Sequence, residues 1–189
     1  MSLRVLGVDP GLTRCGVGVI DASTSREVML VSVNTLRTDA SLELVDRIGH
    51  IGVEFEKILL EYKPDAVAIE RVFSQQNLRS VMGVAQISGV VMFLAGKHKV
   101  PVYMHTPSEV KAAVTGTGRA NKDQVGQMVA RILKLAEVPK PADAADSLAI
   151  AICHAWKSAG GTVSKSASMT NAQKVWHAAE QAATASKRR

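Results

Sequence analysis

Two short, continuously apolar runs in this chain end on an acidic residue: Leu3–Asp9 (LRVLGVD) and Ala66–Glu70 (AVAIE). Runs of this kind read as strands buried on both faces, in a sheet covered by helices. A lone carboxylate at the mouth of a buried strand is costly, so two of them call for a cation. If the two strands are parallel neighbours, both acids converge at the carboxyl ends. That is where open α/β sheets bind their ligands.

The rest of the pattern supplies the sheet and its cover. Segments 15–21 (CGVGVID) and 27–36 (EVMLVSVNTL) read as two further strands, close enough to the first to form an antiparallel meander. The glycines of 15–21 permit tight backbone approach. Over 41–62 the apolar residues Leu42, Leu44, Val45, Ile48, Ile51, Phe55, Ile58 and Leu59 fall on one helical face, with Ser41 as the expected cap. A helix is expected over 77–99 and a fifth strand over 101–105. Thr106-Pro107-Ser108-Glu109 opens another helix, since proline suits the first turn and glutamate its positive end. Helices over 122–135 and 142–156 complete the layout. This order predicts an α/β fold with a mixed five-stranded sheet flanked by helices.

The chain has 189 residues, enough for one domain with its own core plus a tail. Its net charge of +6 is unevenly spread. From Ala155 onward there are six basic residues and one acidic, whereas 1–154 holds 17 basic and 16 acidic. The expected division is therefore a domain over 1–158 and a basic, flexible tail over 159–189. Such a tail attracts polyanions without sequence preference, and solubility alone explains it equally well. Cys15 and Cys153 lie far apart and outside any CxxC pattern, as reduced cytosolic thiols do. With no signal-peptide pattern and no apolar run of membrane-spanning length, the expectation is a cytoplasmic protein without membrane association.

Asp143 and Asp146 stand three apart at the start of a helix, which puts both on one face with Cβ atoms about 5–6 Å apart. Their neighbours Ala142, Ala144 and Ala145 are small, so the helix can approach the sheet closely. Placement at a helix N-terminus also stabilises carboxylates without any chemistry. Joined with Asp9 and Glu70, however, they make a set whose mutual repulsion a hard divalent ion relieves. Oxygen-only donors favour Mg²⁺ or Mn²⁺. Two such ions about 3.5–4 Å apart can activate water and stabilise the leaving oxygen of a phosphodiester. His98, His105 and His154 are isolated in the sequence and form no competing cluster. Asp9, Glu70, Asp143 and Asp146 are thus the expected catalytic and metal-ligating residues.

Longer motifs surround these acids. Leu6-Gly7-Val8-Asp9-Pro10-Gly11-Leu12-Thr13-Arg14-Cys15-Gly16 resembles the opening of the RuvC family of Holliday-junction resolvases. Ala68-Ile69-Glu70-Arg71-Val72-Phe73 resembles its second motif, and Pro107-Ser108-Glu109-Val110-Lys111 with Lys122-Asp123-Gln124-Val125 its third region. Ala142-Asp143-Ala144-Ala145-Asp146-Ser147-Leu148-Ala149-Ile150-Ala151 is similar to the fourth. The resemblance implies an RNase H-like fold and a homodimer. It also implies Mg²⁺-dependent resolution of four-way DNA junctions by paired symmetric nicks, in recombination and repair beside the RuvA–RuvB branch-migration complex. The four acids match the family's catalytic set, some members having histidine at the place of Asp143. Phe73 matches an aromatic that wedges into the junction, and Lys111 and Lys122 match basic residues near the scissile phosphate.

Read from the residues alone, the DNA contacts are less defined. Phe73 in the polar loop with Gln76 can stack on an unpaired base or fold back over the core. Arg14, Arg79 and Arg119 are candidate phosphate contacts, and Lys122 follows a loop suited to the same task. The expected mechanism is direct attack by water activated at two Mg²⁺ ions, leaving 5′-phosphate and 3′-hydroxyl ends, with Mn²⁺ able to substitute. Three other classes share part of this pattern. They are an RNase H-like nuclease for ribosomal RNA precursors, a sugar-kinase or actin-type ATPase, and a non-catalytic junction-binding module. The ATPase fold needs two such domains, and a pure DNA binder gains nothing from four concentrated negative charges.

Overall fold

The apolar runs fold into one mixed sheet. Strands β1 (Leu3–Asp9), β2 (Arg14–Ala22) and β3 (Val28–Arg37) form the antiparallel meander, and β4 (Ala66–Glu70) pairs parallel with β1 on its other side. Strand β5 (Val102–His105) adds parallel to β4, giving the order β3-β2-β1-β4-β5. Helices α1 (Leu44–Tyr62) and α2 (Leu78–Lys97) connect into and out of β4, while α3 (Pro107–Thr115), α4 (Lys122–Ile132) and α5 (Ala142–Gly161) follow β5. The computed structural model describes residues 2–71 and 78–161, with backbone alone at 78–80 and 160–161. The chain divides into a unit spanning Met1–Ala159 and a second spanning Gly160–Arg189. Among the described residues no helix is long and apolar enough to cross a membrane.

The two-residue alternation of the strands sorts two cores. Leu6, Val8, Val67 and Ile69 face α1 and α2, meeting Ile51, Phe55, Ile87 and Val91. Val5, Ile20 and Ala68 face the other way, toward Val110, Val125, Leu148 and Ile152 of the last three helices. Because side chains alternate, Gly7 and Asp9 lie on the same face as Val5, and Glu70 lies on the same face as Ala68. Both strand-end acids therefore open toward the side that carries α5.

Helix α5 sits unusually close to that face, and glycine is the reason. A Cβ added at Gly7 would overlap the carbonyl oxygen of Ser147 and stand 2.7 Å from the Ala151 nitrogen. One added at Gly16 would overlap the carbonyl oxygen of Asp143 and stand 2.7 Å from its carbonyl carbon. Backbone thus rests on backbone, which only a residue without a side chain allows.

Local capping follows the sequence with one exception. Thr106 and Glu109 form a reciprocal capping box at α3, and Asn121 and Gln124 form another at α4. Ser41 does not cap α1: its backbone N–H and hydroxyl both donate to Asp39 at 2.9 Å, and the helix begins after Glu43. An Asx-type turn competes with the cap and wins. Helix α4 ends at Ile132, short of the expected 135, where Lys134 turns to a φ of 54°.

Gly7→Ala is expected to lower the unfolding free energy by about 1–3 kcal/mol or more, through forced separation of α5 from β1. Gly49→Ala, where a Cβ meets nothing within 4 Å, is expected to be neutral or stabilising by about 0.5–1 kcal/mol. Equilibrium urea unfolding of the two variants checks this. Equal stability of Gly7→Ala and the parent chain would contradict the close contact.

Candidate active site

Parallel pairing of Val8 with Ile69 brings the next residues, Asp9 and Glu70, to the same strand mouth. Asp9 pairs across to Gly16 on its other side, and the backbone of Asp143 lies directly on Gly16. Asp143 is thereby delivered beside Asp9, and Asp146 follows one turn along the same helix face. The four acids that the sequence singles out come together from three separate elements.

Their electrostatics are those of one group. Burial, followed by the charges of Asp146, Glu70 and Asp143, pushes Asp9 up to about 7. Burial and Asp146 likewise raise Glu70, opposed by the ammonium groups of Lys122 and Lys111. Asp146 in turn holds Lys122 above its ordinary range. Lys111 on α3 and Lys122 at the start of α4 therefore both bear electrostatically on the acids. Arg119 lies exposed on the loop between those helices. Phe73 and Gln76 lie outside the described residues, and Arg79 falls in the first turn of α2 where backbone alone is described.

Two basic side chains stand where a metal's charge is wanted. Lys122 Nζ lies 3.1 Å from Asp146 Oδ2, and Arg14 Nε lies 3.0 Å from Asp143 Oδ2. With Asp143 and Asp146 turned to these partners, no group of three or more His, Cys, Asp or Glu among the described residues is gathered to hold a metal ion in this conformation. The donor set still fits a hard divalent ion. It is all oxygen, it carries four carboxylates that repel one another, and the burial and like charge that raise the Asp9 carboxyl are relieved by a bound cation.

Sequence spacing missed several pairings, among them His98 with Glu56 at 2.6 Å. Arg14, a candidate phosphate contact, is an ion-pair partner of Asp143. His105 and His154, isolated in the sequence, meet at 3.2 Å between Nε2 and Nδ1, with Tyr103 stacked on His154 at 4.3 Å. Burial first, then the neighbouring His105 and Lys157, push His154 down to about 4, so it stays neutral. The pair is internal packing at the β5–α5 contact, which only the register of β5 against α5 could reveal.

A mixed sheet of this order, with an acid at the mouth of both central parallel strands and a helix bearing two more, is the frame of an RNase H-like nuclease. The likeness extends well beyond the site. The family model described as crossover junction endodeoxyribonuclease RuvC matches residues 5–154. A protein of that name from Leifsonia xyli subsp. xyli is 53% identical, covering 95% of this chain and 93% of its own. One from Streptomyces avermitilis is 58% identical, covering 82% of this chain and 88% of its own. Among solved structures, T. thermophilus RuvC in complex with Holliday junction substrate superposes with a TM-score of 0.80 at 35% identity, covering 85% of this chain and 97% of that one. A yeast mitochondrial Holliday junction resolvase shares the fold, with a TM-score of 0.61 at 14% identity over 85% of this chain and 82% of that one. The chain belongs to the RuvC family.

The raised Asp9 carboxyl has a stability consequence with a defined sign. Its value of about 7 exceeds the ordinary 3.8, so the folded chain binds the extra proton between those limits. The contribution is favourable below about 4 and is lost as pH rises through about 7. Asp9→Asn is therefore expected to stabilise the metal-free protein at pH 8, on the order of a few kcal/mol, and to have little effect near pH 4. Urea unfolding in chelator across that range checks it, and parallel pH–stability curves for the two chains would count against the reading.

Proposed function

We propose that this chain is a crossover junction endodeoxyribonuclease that resolves four-way (Holliday) junctions by paired symmetric nicks, in recombination and DNA repair. The observation that carries the reading is the convergence of Asp9, Glu70, Asp143 and Asp146 at one strand mouth, with Lys111 and Lys122 beside them. The junction as substrate is supported by the RuvC relatives and by the T. thermophilus complex with its Holliday junction substrate.

Asp9, Glu70, Asp143 and Asp146 would hold two Mg²⁺ ions, for which Mn²⁺ substitutes. Bound there, the metals would supply an activated water and charge neutralisation at the departing oxygen, which fits 5′-phosphate and 3′-hydroxyl ends. Asp9, beside Glu70 and the helix acids, would be the central ligand. Lys111 and Lys122 offset negative charge that accumulates at the scissile phosphate. Phe73 and Gln76 would meet the junction's unstacked bases, and Arg79 and Arg119 its backbone.

A second copy of the chain fits this reading, since paired nicks need two sites. Helix α2 leaves Met82, Met92 and Phe93 exposed at 54%, 40% and 68%, an apolar surface suited to a homodimer contact. Cooperation with the RuvA–RuvB complex and a cytoplasmic location belong to the same proposal. The basic tail would add electrostatic attraction for DNA.

The test compares a synthetic four-way junction, a linear duplex and an RNA–DNA hybrid with Mg²⁺. Junction cutting in preference to both others is expected. Asp9→Asn is expected to slow it by at least about a hundredfold while junction binding persists. Preferential cutting of the hybrid would point instead to an RNA-processing nuclease, and wild-type cutting by Asp9→Asn would remove Asp9 from the site.

A further inference from the structure

Arg14 stands out as a charged side chain at the acid cluster whose task the proposed cleavage does not account for. It opens β2, two residues before Gly16, so strand alternation places both on the α5 face. Gly16 makes room for the backbone of Asp143, and Arg14 reaches that residue's carboxylate. The same two strand positions thus seat Asp143 and neutralise it. Across β3, Arg14 is paired in register with Arg37, a like charge that disfavours a path along the sheet and favours the one toward Asp143.

The contact is built to be temporary. The Arg14 side chain is 59% exposed, against 18% for Asp143, and its Nε stands 3.0 Å from Oδ2. Exposed pairs of this type are worth little and exchange readily. A guanidinium cannot lose its charge to make way for a metal, so it has to move or tolerate repulsion. Its natural alternative partner at the rim of a nuclease site is a phosphate oxygen, which a guanidinium recognises as well as a carboxylate.

We propose that Arg14 is a positioning residue that occupies Asp143 in the metal-free protein and transfers to the DNA backbone as the metal loads. Metal affinity and DNA binding are thereby coupled. The inference rests on the reading of the four acids as a divalent-metal site. Without DNA, Arg14 competes with the ion for Asp143. With DNA bound, the carboxylate is released and the competition ends, so each ligand favours the other.

The experiment uses the full chain and two separate probes: calorimetric titration with Mn²⁺ alone, and fluorescence anisotropy of a four-way junction in chelator across a salt series. Arg14→Gln is expected to bind Mn²⁺ about two- to fivefold more tightly, the range an exposed ion pair supplies. It is expected to bind the junction more weakly, with a log–log salt slope shallower by about 1. Arg37→Gln, the same charge change one strand away, is expected to leave Mn²⁺ affinity unchanged. Equal or weaker Mn²⁺ binding by Arg14→Gln overturns the proposal, as does an equal gain in Arg37→Gln. If the parent chain takes up no Mn²⁺ that Asp9→Asn abolishes, the metal-site reading itself fails, and that result is distinct from an unchanged Arg14→Gln. Thermal melts confirm that the variants fold.

Discussion

The active-site geometry depends on one contact: the backbone of α5 lying on the backbone of β1 and β2 at Gly7 and Gly16. A side chain at either position would drive the helix outward, and Asp143 and Asp146 would leave the strand mouth. The remaining architecture serves this contact. Parallel pairing of β1 and β4 brings Asp9 and Glu70 together, and the cores on both faces hold the sheet between its helices. Interiors packed to this density transmit a displacement of one methyl group to whatever lies next to it.

The price of that placement is electrostatic. Four carboxylates in a half-buried setting oppose one another, and the structure answers with Asp9 raised to about 7 and with two ion pairs, Arg14–Asp143 and Lys122–Asp146. A chain optimised only for stability would not keep such a cluster, since buried like charges are among the more destabilising arrangements available. The cluster makes physical sense if the working protein takes up divalent cations there. Lys122 and Arg14 then differ in kind. Lys122 extends from a capped helix start and bears on Glu70 as well as Asp146, whereas Arg14 pairs with Asp143 from an exposed strand end.

Much of this was legible in the sequence because strand alternation and helical spacing are local properties. The runs Leu3–Asp9 and Ala66–Glu70 are readable residue by residue, and the spacing of Asp143 and Asp146 alone places them on one face. Glycines in 15–21 signalled close approach, but not which element approaches, since that depends on where α5 returns across the sheet. The Arg14–Asp143 and His105–His154 pairs escaped for the same reason: each joins residues from elements far apart in the chain. The missed cap at Ser41 was a local competition, in which the Asp39 side chain took the hydroxyl that the helix start would have used. The junction as substrate came from motifs longer than the acids, because strand mouths and helix faces specify phosphodiester chemistry rather than the shape of the DNA.

The most direct test of the central claim is anomalous diffraction at the manganese edge from crystals of the full chain soaked in Mn²⁺. The account predicts two peaks about 3.5–4 Å apart, enclosed by Asp9, Glu70, Asp143 and Asp146, with the Arg14 side chain withdrawn from Asp143. Strong peaks elsewhere on the chain, with these four carboxylates unliganded, would contradict it.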